Sequence, residues 1–257
     1  MPKDEDKSYT KSYWESYYSN GGPTLKSSSF AEYVLPLYKG YTGHLLDIGC
    51  GNGRDSLFFF SKHVPVVAVD QSTEGIKVLQ GKIEEMLSDK SKSSTSVNFD
   101  TTNEGVRVLQ LSTDNKVDKS AKLILYAHDF SDLTNHINAK LSICYSRFTL
   151  HAVNKIIASR MLNWAAHHLE PNGLLCIEAR SVKSDMYGKG TKVDGDENKD
   201  AFINGHYRRF IRMGELQAEL KSLGFKIIKE EEKKGVAVYK NDDPVVVRVI
   251  AQKIEKK

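Results

Sequence analysis

Three apolar runs in this 257-residue chain each lead into an aspartate. The first, Leu45-Leu46-Asp47-Ile48, runs into Gly49-Cys50-Gly51-Asn52-Gly53 and then Arg54-Asp55, with glycines at alternate positions. The second, residues 65–69, ends in Asp70-Gln71, and the third, residues 122–127, ends in His128-Asp129-Phe130. A buried strand, a glycine turn and a helix form the unit that opens a nucleotide-type site in doubly wound α/β folds. Glycine lacks a Cβ, so such a turn can take positive φ and let a ligand approach the backbone. Asp70 follows the glycines by about 20 residues, the distance at which a carboxylate can accept both ribose hydroxyls. The glycine spacing is G-x-G-x-G, not the G-x-G-x-x-G of dinucleotide folds. The chemistry on offer is the holding of a nucleoside-type ligand other than NAD.

This segment resembles the first motif of the class I S-adenosylmethionine (SAM) methyltransferases. In that family the glycine turn passes under the amino-acid end of SAM, and the motif's acidic residue positions the ammonium. An aspartate after the third strand bonds the adenine amino group. The resemblance implies SAM as cofactor, with S-adenosylhomocysteine (SAH) as product. Asp47, Gly49 and Gly51 would hold its amino-acid end, Asp70 the ribose and Asp129 the adenine. Cys50, Asn52, Arg54, Asp55, Gln71, His128, Phe130, Tyr145 and Arg147, from the same strand ends or the fourth, complete the candidate cofactor set.

Methyl transfer is an in-line displacement, so the protein mainly aligns a nucleophile and excludes water. An alcohol nucleophile also needs its proton removed, most often by histidine. Tyr145-Ser146-Arg147-Phe148-Thr149-Leu150-His151 leaves the fourth strand and is similar to a segment of phosphoethanolamine methyltransferases. There a Tyr-Ser-Arg run precedes a catalytic histidine at a spacing one residue longer. The candidate catalytic residues are therefore His151, Glu178 at the end of the fifth strand, and His206. Arg180 beside Glu178, Tyr187, and Tyr207-Arg208-Arg209 could bind an acceptor's hydroxyls or phosphate. Tyr13 and Tyr17 belong to a stripe with Tyr9 at i, i+4 and i+8 that suits a lid helix.

From the tyrosine and tryptophan near the start to Asp242-Asp243-Pro244 near the end, the chain resembles one branch of the family. That branch occurs in polysaccharide-synthesis clusters of microbes and in glycan-synthesis proteins of large viruses. It implies O-methylation of a sugar hydroxyl on a glycan or glycan precursor. An amine, a phosphobase or RNA as acceptor, and a SAM-binding module without transfer, remain the alternatives.

The elements that must position these residues read as one α/β domain over 1–257, a Rossmann-like doubly wound sheet. Seven strands are expected, mostly parallel with an antiparallel last strand, and helices on both faces. Helices are expected over 55–61, 73–86, 154–168 and 215–223, the last ended by Gly224. A capping box at Ser29-Phe30-Ala31-Glu32 would start another that Pro36 ends. Residues 1–40 form the helical lid, 88–120 a Ser/Lys-rich insertion of hairpin form, and 181–212 a substrate loop. The 37 basic and 33 acidic residues give a net charge of +4, too small to indicate a nucleic-acid face. Cys50, Cys144 and Cys176 lack metal-ligand spacing and suit a reduced compartment. No run is long enough to span a bilayer, so a soluble cytoplasmic enzyme is expected.

Overall fold

A computed structural model describes residues 4–20, 26–88, 100–101, 106–110, 122–129, 137 and 139–255. The chain runs α1 (Asp4–Ser19), α2 (Ser29–Val34), β1 (His44–Ile48), α3 (Arg54–Ser61), β2 (Val66–Asp70), α4 (Thr73–Ser88), β3 (Asp100–Thr101) and β4 (Val106–Gln110). It continues through β5 (Lys122–Ala127), β6 (Leu141–Arg147), α5 (Lys155–His168), β7 (Leu169–Arg180), β8 (Thr191–Lys192), β9 (Ala201–Asn204) and β10 (His206–Arg209). It closes with α6 (Met213–Ser222), β11 (Phe225–Lys233) and β12 (Val246–Lys253).

The main sheet has the order β11-β12-β7-β6-β1-β2-β5-β4-β3. Strands β7, β6, β1, β2 and β5 are parallel to their neighbours within that set, and β12 inserts antiparallel between β7 and β11. These are the seven expected strands. The insertion adds two more: β3 and β4 form an antiparallel hairpin that extends the sheet beyond β5. The rest of the 88–120 insertion, apart from Ser88, lies outside the described residues.

Alternation along the strands splits the core between the two faces, as period two requires. Leu46, Ile48, Val67, Val69, Leu175 and Ile177 pack with Met161, Leu162 and Trp164 of α5 and Leu216 and Leu220 of α6. Leu45, Val66, Ala68, Leu123, Leu125 and Cys176 pack with Phe30 of α2, Phe59 and Phe60 of α3 and Leu79 of α4. Strands covered on both faces must be apolar throughout, which is why β1 and β2 read as unbroken runs.

One local expectation, the capping box, shifts. The hydroxyl that caps α2 belongs to Ser28, accepting from Ala31 N at 3.0 Å; Glu32 instead meets Ser27, so no capping box forms at Ser29. The Pro171-Asn172-Gly173 turn lies inside β7, where the chain loops out from Leu169 to Leu174 while β6 advances only from Leu141 to Ile143. Pro36 does end α2, giving way to a 3-10 turn over Leu35–Tyr38. Gly224 follows α6 with φ +85°, the left-handed value that favours glycine. Residues 181–212 fold into a second small sheet of order β10-β9-β8.

Candidate active site at the carboxyl edge of the sheet

Chain order along the sheet reverses between β1 and β6, and at such a switch point the strand ends open a crevice. A cavity of about 390 Å³ lies there, walled by residues following β1, β2, β6 and β7, by α1 and by β10. Its β1–β2 side is acidic. Asp47, Asp55 and Asp70 line it with Arg54, beside Gly49, Cys50, Asn52 and Gln71.

Asp47 is buried and accepts a hydrogen bond from Ser56 Oγ at 2.6 Å. Burial first, then the charges of Asp55 and Asp70, push its carboxyl up to about 7 against the pull of Ser56 and Arg54. Asp70 accepts from the backbone N–H of Gly51 and of Ser72, both at 2.8 Å. Burial lifts it to about 6 despite those bonds. Asp55 and Tyr145 also face the cavity, but their polar atoms are largely engaged: Tyr145 donates to Asp55 at 2.8 Å, and Ser28 holds Asp55 through N–H and Oγ.

All three glycines of the turn are left-handed, with φ of +73°, +56° and +74° at Gly49, Gly51 and Gly53. Protein side chains occupy the space a Cβ would need. An added methyl would strike Thr149 Oγ1 at Gly49, Tyr18 Oη at Gly51 and Leu79 at Gly53, each within 2.3 Å. Gly51 is therefore covered by Tyr18 and is not on the cavity wall, contrary to expectation. Neither His128 nor Asp129 is on the wall among the described residues; Asp129 N donates to His128 Nδ1 at 2.9 Å. Phe130 lies outside the described residues.

Helix α1 covers this side. Glu15 accepts from Ser72 Oγ and from the N–H groups of Thr73 and Glu74 at 2.8–3.0 Å, satisfying the free donors at the start of α4. Tyr13, Trp14, Tyr17 and Tyr18 then turn into the cavity. Tyr9's side chain falls outside what the structure describes.

The β6–β7 side is aromatic and basic. Phe148 has φ +61°, an uncommon conformation for a bulky residue, and its N–H donates to Glu178 O at 2.8 Å. Its ring carries the Arg147 guanidinium at 4.3 Å and lies 5.6 Å from that of Arg180 and 4.9 Å from the His151 ring. His151 is buried and its Nδ1 accepts the Arg180 N–H at 3.2 Å. A backbone N–H can only donate, so the imidazole proton sits on Nε2. Burial, followed by Arg180, Arg208, His206 and Arg147, holds His151 neutral far below the usual histidine range.

His206 stacks on Tyr13 at 4.6 Å, and its Nε2 accepts from Arg208 at 2.9 Å. Its proton is therefore on Nδ1. Burial, then Arg208 and Arg180, lower its pKa to about 4. Both histidines are neutral, with one nitrogen occupied by a donor. In this arrangement the remaining nitrogen of each histidine carries the proton and faces as a donor.

Glu178 is not on the cavity wall. It is fully buried behind the cavity, 2.6 Å from Arg248 Nε and 2.8 Å from Arg147 Nε, the latter contact off the N–H direction. In β10 the side chains alternate, which sorts the candidates there. His206 and Arg208 face the cavity; Tyr207 and Arg209 do not. Tyr207 is buried and bonds Asn198, while Arg209 donates to the carbonyls of Val153 and Leu150 at 3.2 and 3.1 Å. Tyr187 packs on Phe202 and Phe210 and bonds Asp200 at 2.6 Å. These three residues brace the segment and do not line the cavity. The sequence reading had omitted Trp14, Glu15, Tyr18, Phe148, Tyr239 and Asp242. The last two line the cavity, where Asp242 is paired with Arg180.

A family model described as a methyltransferase domain matches residues 27–230. The chain belongs to the methyltransferase-domain family. No sequence among the curated proteins matches it. Among solved structures, a 1,6-didemethyltoxoflavin-N1-methyltransferase from Burkholderia thailandensis has TM-score 0.64 and 16% identity, covering 99% of this chain and 92% of that one. A SAM-dependent methyltransferase from Methanosarcina mazei has TM-score 0.62 and 18% identity, covering 86% and 98%. Magnesium protoporphyrin IX methyltransferase from Synechocystis, solved with bound SAH, has TM-score 0.62 and 13% identity, covering 96% and 99%. At these identities the likeness is one of fold. The methyltransferase fold thus accounts for the seven common strands, and the β3–β4 hairpin lies outside that set. Among the described residues no helix is long and apolar enough to cross a membrane, and no His/Cys/Asp/Glu cluster could hold a metal ion.

Proposed function

We propose that this methyltransferase moves the methyl group of SAM to a sugar hydroxyl of a glycan or glycan precursor. The observation that carries the reading is the division of one cavity into an acidic side and an aromatic, basic side. Asp47, Asp55 and Asp70 outnumber the cations beside them, Arg54 and, near Asp55, Arg147, so the acidic side suits a ligand with cationic centres, and SAM brings a sulfonium and an ammonium. Asp47 would hold the ammonium and Asp70 the ribose; Asp70 retains lone pairs beyond its two backbone bonds. When bound, SAM supplies an activated methyl group.

The other side suits an acceptor with hydroxyls and no positive charge. Tyr13, Trp14, Tyr17 and Phe148 give aromatic faces, and the His151 Nε2–H and the guanidinium groups of Arg147, Arg180 and Arg208 converge as donors. An amine or phosphobase acceptor would place a cation beside those arginines. The named structural relatives act on a porphyrin and a toxoflavin precursor, so the fold does not choose the acceptor. His151 here orients the acceptor oxygen by donating to it. The proton leaves late, once the forming C–O bond has made that oxygen acidic, and Asp242 is the carboxylate on that side to receive it.

A labelled-methyl screen against glycans, nucleotide sugars, amines and RNA tests the reading. Label in a sugar ether is expected; label confined to amines or RNA, or to nothing, rejects it. His151→Ala should lower turnover only about tenfold, the scale of one lost hydrogen bond. A loss of roughly 10²–10⁴ with SAH binding intact would return His151 to the role of base.

A further inference from the structure

The charges on the acceptor side do not cancel. Arg147 shares Glu178 with Arg248. Arg180 is paired with Asp242, and Arg248 also reaches Glu231 at 3.4 Å. Among the described residues Arg208 has no carboxylate in ion-pair contact: its Nη2 donates to His206, and its buried Nε has no hydrogen-bond partner there. A guanidinium can donate five hydrogen bonds in a planar fork matched to an oxyanion. Leaving one half-buried with an idle N–H is costly unless something else meets it. The other cation facing it makes matters worse, because Arg180 bears on Arg208 while Asp242 only partly offsets the two.

Position adds a second argument. Arg208 sits on β10 beside His206, and the alternation of that strand turns both into the cavity while Tyr207 and Arg209 anchor the reverse face. The anchoring is firm. Arg209 N donates to His151 O at 2.8 Å, and Arg209 holds the carbonyls of Leu150 and Val153, so β10 is fixed to the loop that carries His151. The Arg208 side chain is thus presented from a braced strand to the cavity also lined by Phe148, Tyr13 and His206.

Resting on the glycan reading above, we propose that the acceptor carries an oxyanion, a carboxylate or a phosphoryl group, which Arg208 binds through its guanidinium with Arg180 beside it. The natural acceptors are then acidic glycans or phosphorylated precursors, and neutral sugars are poor ones. The neutral His151 and His206 fit such a ligand, since each adds a donor without adding a charge that would have to be neutralised.

Calorimetry on the full chain loaded with SAH tests this, with inorganic phosphate, D-glucuronate and D-glucose as probes. At least one of the two anions should bind ten times or more tighter than glucose, and Arg208→Gln should weaken that anion about tenfold or more. Arg208→Lys, which keeps the charge but not the fork, should recover part of the loss. SAH affinity should stay the same in both variants, which shows that they fold. Glucuronate stronger than phosphate identifies an acidic sugar, and the reverse a phosphorylated precursor. Equal binding of glucose, absence of binding by both anions, or an Arg208→Gln variant that binds the anion normally overturns the proposal. Failure of SAH to bind the wild-type protein would instead reject the cofactor reading, since the anion probes can still be titrated without it.

Discussion

SAH binding should tighten about fiftyfold between pH 5 and pH 7, close to tenfold per unit at the acid end, and level off above pH 7. The cause is Asp47. Its burial, with Asp55 and Asp70 nearby, raises its pKa from 3.8 to about 7, so in the free protein below neutrality it carries a proton. If Asp47 is the residue that meets the ligand's ammonium, it must ionise on binding, and each unit of acid below its pKa then costs a factor of ten in affinity. The same carboxyl sets the sign for folding. Its folded pKa is raised, so the folded state binds the extra proton. Stability of the free protein is then greatest below pH 3.8 with respect to this group, and falls as pH rises toward 7. The loss is roughly 4 kcal/mol at its limit, and a bound cation offsets it. Titration at pH 6 in buffers of different ionisation enthalpy should show close to one proton released per SAH bound. In Asp47→Asn the pH dependence should flatten and the affinity at pH 7.5 should drop. A flat wild-type profile with no proton release would mean that Asp47 does not meet the ammonium.

The strand ends that build this acidic side were legible because each is local. A run such as Leu45-Leu46-Asp47 states its own burial, and the glycines and Asp70 follow at short fixed distances. Even Arg208 and His206 were within reach, since period-two alternation over His206–Arg209 separates them from Tyr207 and Arg209 once a strand is assumed. What could not be read is pairing across distance. The hydroxyl of Tyr18 fills the space over Gly51 because α1 docks through Glu15 on the start of α4, 57 residues away at Ser72. The Nδ1 of His151 is engaged by a backbone N–H from β7, 29 residues on, and that one bond puts the proton on Nε2. No window of sequence around His151 holds that information.

Glu178→Gln should lower stability by about 3–5 kcal/mol, the scale for breaking a buried ion pair by removing one partner. For a chain of this size that corresponds to a fall in Tm of roughly 6–20 °C. The reason lies in the register. Arg147 on β6 and Arg248 on β12 are the direct cross-strand partners of Glu178 on β7, so one carboxylate sits between two guanidinium groups in the middle of the sheet. Arg248 is also tied to Ser29 Oγ at 2.9 Å and to the Val236 carbonyl at 2.8 Å, which bind α2 and the β11–β12 loop to the same point. The amide of glutamine preserves the volume but takes the shared anion from Arg147 and leaves Arg248 only its longer contact with Glu231. Arg147 also lines the cavity beside Phe148, so the acceptor side should loosen with the core, and turnover should fall in step with stability. Thermal unfolding and a rate measurement well below the new Tm separate this from catalysis. Were Glu178 a base, the variant would lose turnover by orders of magnitude at unchanged Tm. Glu178→Leu combined with Arg248→Met provides the control: with the charge and one of its partners removed together, much of the lost stability should return, because well-packed apolar residues can replace a buried ion pair without net cost.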